Sequence, residues 1–168
     1  TDGTIAIVYF AGNAITGAGN LCIGYYAGAA ITSGTHNIAM GYEAMKVHTS
    51  GLRNIAIGHQ AMDDNDVGAA AKSSEDNVFI GFRAASGTYT DVKVENNVAI
   101  GSYTMGAALA GANNNTIVGY NTAGTLTSAS GSVLIGSSAG GTITTGNDNI
   151  AIGLNAINGG TTTGDNNI

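Results

Sequence analysis

A five-residue phrase, written again and again, limits what this chain can fold into. Asn37-Ile38-Ala39-Met40-Gly41 recurs as Asn20-Leu21-Cys22-Ile23-Gly24, Asn54-Ile55-Ala56-Ile57-Gly58, Asn77-Val78-Phe79-Ile80-Gly81 and Asn97-Val98-Ala99-Ile100-Gly101. It returns as Asn115-Thr116-Ile117-Val118-Gly119, Ser132-Val133-Leu134-Ile135-Gly136 and Asn149-Ile150-Ala151-Ile152-Gly153. Gly3-Thr4-Ile5-Ala6-Ile7-Val8 is a degenerate first copy, and Asn167-Ile168 begins another. The marker glycines are 17, 17, 23, 20, 18, 17 and 17 residues apart. A fixed period of this size marks a solenoid. The expected fold is all-β: one parallel β-solenoid domain over residues 1–168, with about nine coils of 17–23 residues.

Within each marker, apolar residues hold the first and third positions, as in Ile38/Met40, Ile55/Ile57 and Val78/Ile80. Such alternation predicts a short strand with these side chains facing inward. The middle position then faces outward, yet it too is apolar: the column reads Ala39, Ala56, Phe79, Ala99, Ile117, Leu134 and Ala151. A coil has one interior, so a dry outer face predicts that these residues pack against another copy of the chain.

Small residues three places past the glycines, such as Ala27, Ala44, Ala61 and Ala84, predict tight corners. A second short strand is expected at Ala14-Ile15-Thr16, Ala30-Ile31-Thr32, Thr125-Leu126-Thr127 and Thr142-Ile143-Thr144. The marker asparagines predict a hydrogen-bonded ladder at a corner.

Longer loops fall at 63–76 and 86–96, and all five basic residues lie between Lys46 and Lys93. Residues 96–147 carry no charge. A net charge of −6 offers no footprint for nucleic acid, and no run suits membrane insertion. Cys22, the single cysteine, occupies a column of small residues and reads as a buried hydrophobe.

Several features carry candidate chemistry. Asp63, Asp64 and Asp66 gather the oxygen ligands calcium prefers, without EF-hand spacing; a solvated acidic loop is the other reading, and no cofactor is otherwise expected. His36, His48 and His59 share no column, which disfavours a metal ladder. No catalytic residues are assigned. A glycan-cleaving carboxylate pair would have to come from Asp64, Glu75, Asp91 and Glu95. Rings at Tyr9, Tyr25, Tyr42, His59, Phe82 and Tyr120, with Tyr103 one place later, form an aromatic column along the rod. With Tyr89 in the second loop, Tyr25, Tyr42, His59, Phe82, Tyr103 and Tyr120 are the candidate contacts for a receptor or glycan. Thr125/Thr127, Thr142/Thr144 and Thr161/Thr163 also admit an ice-binding reading.

The pattern Asn-[Ile/Val]-Ala-Ile-Gly-X-X-Ala, as in Asn54–Ala61 and Asn149–Ala156, resembles the head repeats of YadA-like trimeric autotransporter adhesins and related repeats of bacteriophage tail fibres. The resemblance implies a left-handed β-roll, three rolls side by side as a homotrimer, and an extracellular place on a virion or bacterial surface. It implies adhesion to a cell-surface receptor or glycan, without enzymatic activity. The coils here are longer than the adhesins', and no neck, heptad stalk or membrane barrel accompanies them. The chain starts at a repeat and stops inside one, as a segment of a longer protein would, or as the subunit of a head-to-tail extracellular filament.

Overall fold

The computed structural model describes residues 3–63, 74–89 and 92–168. Among these residues nine three-residue strands form one parallel sheet in sequence order. They are β1 (Ile5–Ile7), β2 (Leu21–Ile23), β3 (Ile38–Met40), β4 (Ile55–Ile57), β5 (Val78–Ile80), β6 (Val98–Ile100), β7 (Thr116–Val118), β8 (Val133–Ile135) and β9 (Ile150–Ile152). Every strand pairs in register with the next, so Ala39 lies beside Ala56 and Ala56 beside Phe79. Each intervening segment is one turn of a β-solenoid, about eight in all. With a strand spacing near 4.8 Å, the sheet is roughly 40 Å from end to end.

The strand faces are the reverse of the expectation. The middle residues Cys22, Ala39, Ala56, Phe79, Ala99, Ile117, Leu134 and Ala151 are buried in the interior of the single chain. They are therefore not available for oligomer packing. The first and third positions face out: Ile5, Ile7, Ile100, Ile135, Ile150 and Ile152 are exposed, and most of the others are half-buried. The reason is the narrow lumen. A three-residue strand hemmed by corners on both sides sends only its centre inward.

The lumen is filled by complementary sizes. From β2 to β8 the residue six places beyond the strand centre is also buried, and its bulk answers that of the centre. Ala39, Ala56 and Ala99 are matched by Met45, Met62 and Met105, whereas Phe79 and Ile117 are matched by Ala85 and Ala123. Where the centre is Cys22 or Leu134, the partner is Gly28 or Gly140. A Cβ at Gly28 would stand 2.6 Å from Cys22 Sγ, and one at Gly140 would stand 2.8 Å from Leu134 Cδ1. A third set, including Ile31, His48, Tyr89, Leu109, Leu126 and Ile143, completes the core. Among the described residues the expected second strand is reduced to one isolated bridge, Ile143 with Thr162, and segments 14–16, 30–32 and 125–127 form no strand. Its central Ile31, Leu126 and Ile143 do point inward as expected.

The asparagine ladder is present and directional. Asn37 donates its backbone N–H and Nδ2 to Asn20 Oδ1 at 3.0 and 3.1 Å. Asn54 does the same to Asn37, Asn77 to Asn54, Asn97 to Asn77 and Asn115 to Asn97. Each Nδ2 also reaches a carbonyl in the next coil's return, for example Asn37 to Gly51 O at 2.7 Å. Every buried amide group is thereby satisfied along the stack, which removes the desolvation penalty of burying it. Ser132 keeps the rail with less: its N–H donates to Asn115 Oδ1 and its Oγ accepts from Asn149 N.

Left-handed backbone turns the corners. Residues just before the marker Asn (His36, Arg53, Asp76), two past the glycine (Tyr26, Glu43, Gln60) and four past it (Met45, Met62, Ala85) have φ between +49° and +58°. Such residues cost roughly 1–2 kcal/mol each, offset here by inter-coil bonds such as Met45 N–H to Ala61 O at 3.0 Å.

Candidate functional site

Beside the outward strand face runs the aromatic column. Ring centroids are 5.8 Å apart for Tyr9–Tyr25, 5.4 Å for Tyr25–Tyr42 and 4.8 Å for Tyr42–His59, with planes within 20° of parallel. The geometry then changes. His59–Phe82 is tilted at 42°, and Phe82–Tyr103 and Tyr103–Tyr120 are edge to face at 82° and 85°. Parallel stacking spends ring faces on neighbouring rings, whereas an edge-to-face pair engages only one. Tyr25, Tyr42, His59, Phe82, Tyr103 and Tyr120 are thus brought together, all exposed. A second, shorter column of Phe10 over Tyr26 (5.1 Å) stands beside the first, with Lys46 Nζ 5.7 Å from the Tyr26 centroid.

Tyr89 does not join them. It is fully buried, its ring edge to face with His48 at 5.8 Å. The second loop folds this side chain into the lumen, where a bridge to Leu109 fixes its backbone. As a receptor contact it is corrected to a core residue.

The charged residues gather on the corner before β4–β6. Arg53 grips Asp76 with two bonds of 2.7 Å and reaches Glu75 at 3.1 Å; Lys93 pairs with Glu75 and, at 3.4 Å, with Glu95. Hydrogen bonding from Lys93 holds the Glu75 carboxyl below the usual range, and Arg53 does the same for Asp76. A general acid at neutral pH needs a shift the other way. On the opposite corner Glu43 joins Lys46 (2.8 Å) and Gln60 (3.0 Å), which lowers its carboxyl, with Lys46 the larger cause. Asp63 is half-buried and its charge favours protonated Lys46. Asp64, Asp66 and Asp91 lie outside the described residues, as does most of the 63–76 loop. Burial pushes the Cys22 thiol up to about 11, the behaviour of an inert core cysteine.

The threonine pairs are knitted into the stack. Thr125 Oγ1 donates to Gly141 O at 2.9 Å, Thr127 Oγ1 to Thr144 O at 3.0 Å, and Thr142 Oγ1 to Ile157 O at 3.2 Å. Thr16 and Thr32 make the same bonds in earlier coils.

The outer strand face was missed as a site. Its paired stripes of Ile, Val, Leu and Met run over the nine described strands, interrupted only by Thr116. The compensating sizes at the sixth position beyond each strand centre would have identified it, because they mark the centres as interior.

These features define the molecule as a β-solenoid with one apolar sheet face and an aromatic border. No protein-family model, no curated protein and no solved structure matches the chain.

Proposed function

We propose that this chain is a structural and adhesive fibre segment, a non-enzymatic β-roll that stands side by side with two copies of itself on an extracellular fibre. In this role the trimer offers a cell-surface receptor or glycan three equal sites on a rigid rod, so weak contacts combine through effective concentration. The observation that carries the reading is the outward strand face. Large β-branched side chains on a sheet face are stable when covered, and a continuous apolar strip roughly 40 Å long is far more than scattered surface hydrophobes supply. Copies of the same rod have the matching length and repeat to cover it. The likeness to YadA-like heads and tail-fibre repeats supports three copies and the adhesive role.

The test is solution mass by light scattering across a concentration series, with Ile57→Lys/Ile80→Lys as the variant. A constant three-chain mass that falls to one chain in the variant, at unchanged circular dichroism, is expected. A stable monomer overturns the side-by-side arrangement. A mass that grows with concentration points to end-to-end filaments instead.

A further inference from the structure

The return of the coil after β9 is longer than that of the coil before it. Ile143 lies seven places past Gly136, but its bridge partner Thr162 lies nine past Gly153. The slack falls in a stretch that reads Asn158-Gly159-Gly160. All three residues are exposed, and a Cβ at Gly159 or Gly160 would meet nothing within 4 Å. Among the described residues the Gly159 N–H has no hydrogen-bond partner. The Asn158 side chain is held by one bond, Nδ2 to Asn155 Oδ1 at 3.1 Å.

No other asparagine of the chain precedes a glycine. Marker asparagines such as Asn37 and Asn54 are buried, and the amide that follows each is tied into the sheet. Ile38 N–H donates to Asn54 O and Ile55 N–H to Asn77 O, both at 2.8 Å. Asn96, Asn114, Asn155 and Asn166 are exposed, yet the next amide is again engaged. Asn97 N–H bonds Asn77 Oδ1 at 3.1 Å, Asn115 N–H bonds Asn97 Oδ1 at 3.0 Å, and Asn167 N–H bonds Asn149 Oδ1 at 2.8 Å. Ala156 N–H bonds Gly153 O at 3.3 Å.

These differences matter because an asparagine carries its own electrophile, Cγ, within reach of the next backbone nitrogen. Closing that ring needs a free N–H and a backbone able to leave the range that a Cβ on the next residue allows. Asn158-Gly159 meets both conditions. We infer that Asn158 is a site of spontaneous covalent modification, deamidation through a cyclic imide, with water as co-reactant. The Gly159 nitrogen, its proton taken by hydroxide, attacks Asn158 Cγ. The N–Cγ bond forms, the Cγ–Nδ2 bond breaks, and ammonia leaves with a proton from water. Water then opens the imide at either carbonyl to give aspartate or isoaspartate, with no change of oxidation state. Either product adds a negative charge to a return, 154–164, that holds none. Isoaspartate also adds a methylene to the main chain.

The experiment incubates the full chain at neutral and mildly alkaline pH. Mass spectrometric fragmentation locates converted asparagines, and protein isoaspartyl methyltransferase with a labelled methyl donor reports isoaspartate. Asn158 is expected to convert ahead of Asn155 and Asn166, at a rate that rises in proportion to hydroxide, with isoaspartate among the products. Gly159 has open space for a side chain and no left-handed φ, so Gly159→Val should fold and lose most of the conversion. Circular dichroism checks that fold, and Asn158→Gln, which leaves the backbone untouched, should abolish the isoaspartate signal from this return. Equal conversion at Asn155 or Asn166, an unchanged rate in folded Gly159→Val, or aspartate without isoaspartate overturns the inference. None of these readouts depends on the number of chains in the particle, so the fibre reading is tested apart from it.

Discussion

The two faces of the same strands obey different rules. Inside, residue size varies from Ala39 to Phe79, and each change is answered within its own coil by Met45 or Ala85. Outside, size barely varies: Ile, Val, Leu or Met fills nearly every first and third position, with nothing in the coil to answer it. Compensation is the mark of a cavity of fixed volume, where a gap or an excess of one methylene is felt. Uniformity is the mark of a surface matched to something repeating outside the coil. The interior explains how one chain stacks; the exterior is the basis of the proposed self-association.

The sharpest break in this comparison lies one residue beyond the outer face. Gly58 has φ +135°, and an added Cβ would stand 2.7 Å from the carbonyl carbon of Gly81 in the next coil. Gly58→Ala is expected above about 4 kcal/mol, the range in which single substitutions unfold domains. Ile57→Thr, immediately upstream but facing out, should stay within about 1 kcal/mol in the dissociated chain. Urea titrations of the two variants, under conditions where the mass is that of one chain, check the contrast. Similar losses would show that the outer face is as tightly constrained as the corner.

The interior rule is next in size. Met62→Ala opposite Ala56 should cost about 2–5 kcal/mol through the cavity it leaves, and Ala56→Phe alone about 1–3 kcal/mol through overpacking. Together they recreate the Phe79/Ala85 coil, so the double variant should be more stable than the sum of single losses by about 1–3 kcal/mol. A double-mutant cycle by urea unfolding measures this. Additive losses would mean that the two columns do not share the lumen.

The period, the parallel stack and the asparagine rail were legible because each depends on identity at a fixed spacing: Asn, strand, Gly. The faces were not, because size alone does not tell inside from outside on so short a strand; Ala39 and Ala56 are interior because Met45 and Met62 fill the remaining space. The corners were hidden for a different reason. Left-handed backbone is usually announced by Gly or Asn, but here Tyr26, Glu43, Arg53, Met45 and Met62 adopt it, held by bonds to adjacent coils. The aromatic column was visible from the residue after the marker glycines as far as Tyr120, including the shift to Tyr103. Tyr89 was misread because a loop position carries no information about direction until its bridge to Leu109 is known.

The smallest effect belongs to the corner that joins the two faces. Arg53 bonds Asp76 across adjacent coils, and these groups are substantially exposed, so solvent weakens the pair. The Asp76 carboxyl is nevertheless held low, first by its hydrogen bond from Arg53, and Glu75 is held low first by Lys93. A carboxylate depressed in the folded state adds stability that is fully present above its unfolded value, about pH 4, and is lost as pH falls through the folded value. Arg53→Gln should therefore melt slightly below the parent at pH 7, with the gap narrowing below pH ~4 and at high salt. Asn114, in the same corner column but in the uncharged part of the rod, supplies the control: Asn114→Gln should show no such pH-dependent gap. A gap for Arg53→Gln that persists in acid would mean that Arg53 supports the left-handed corner through packing of its side chain rather than through charge.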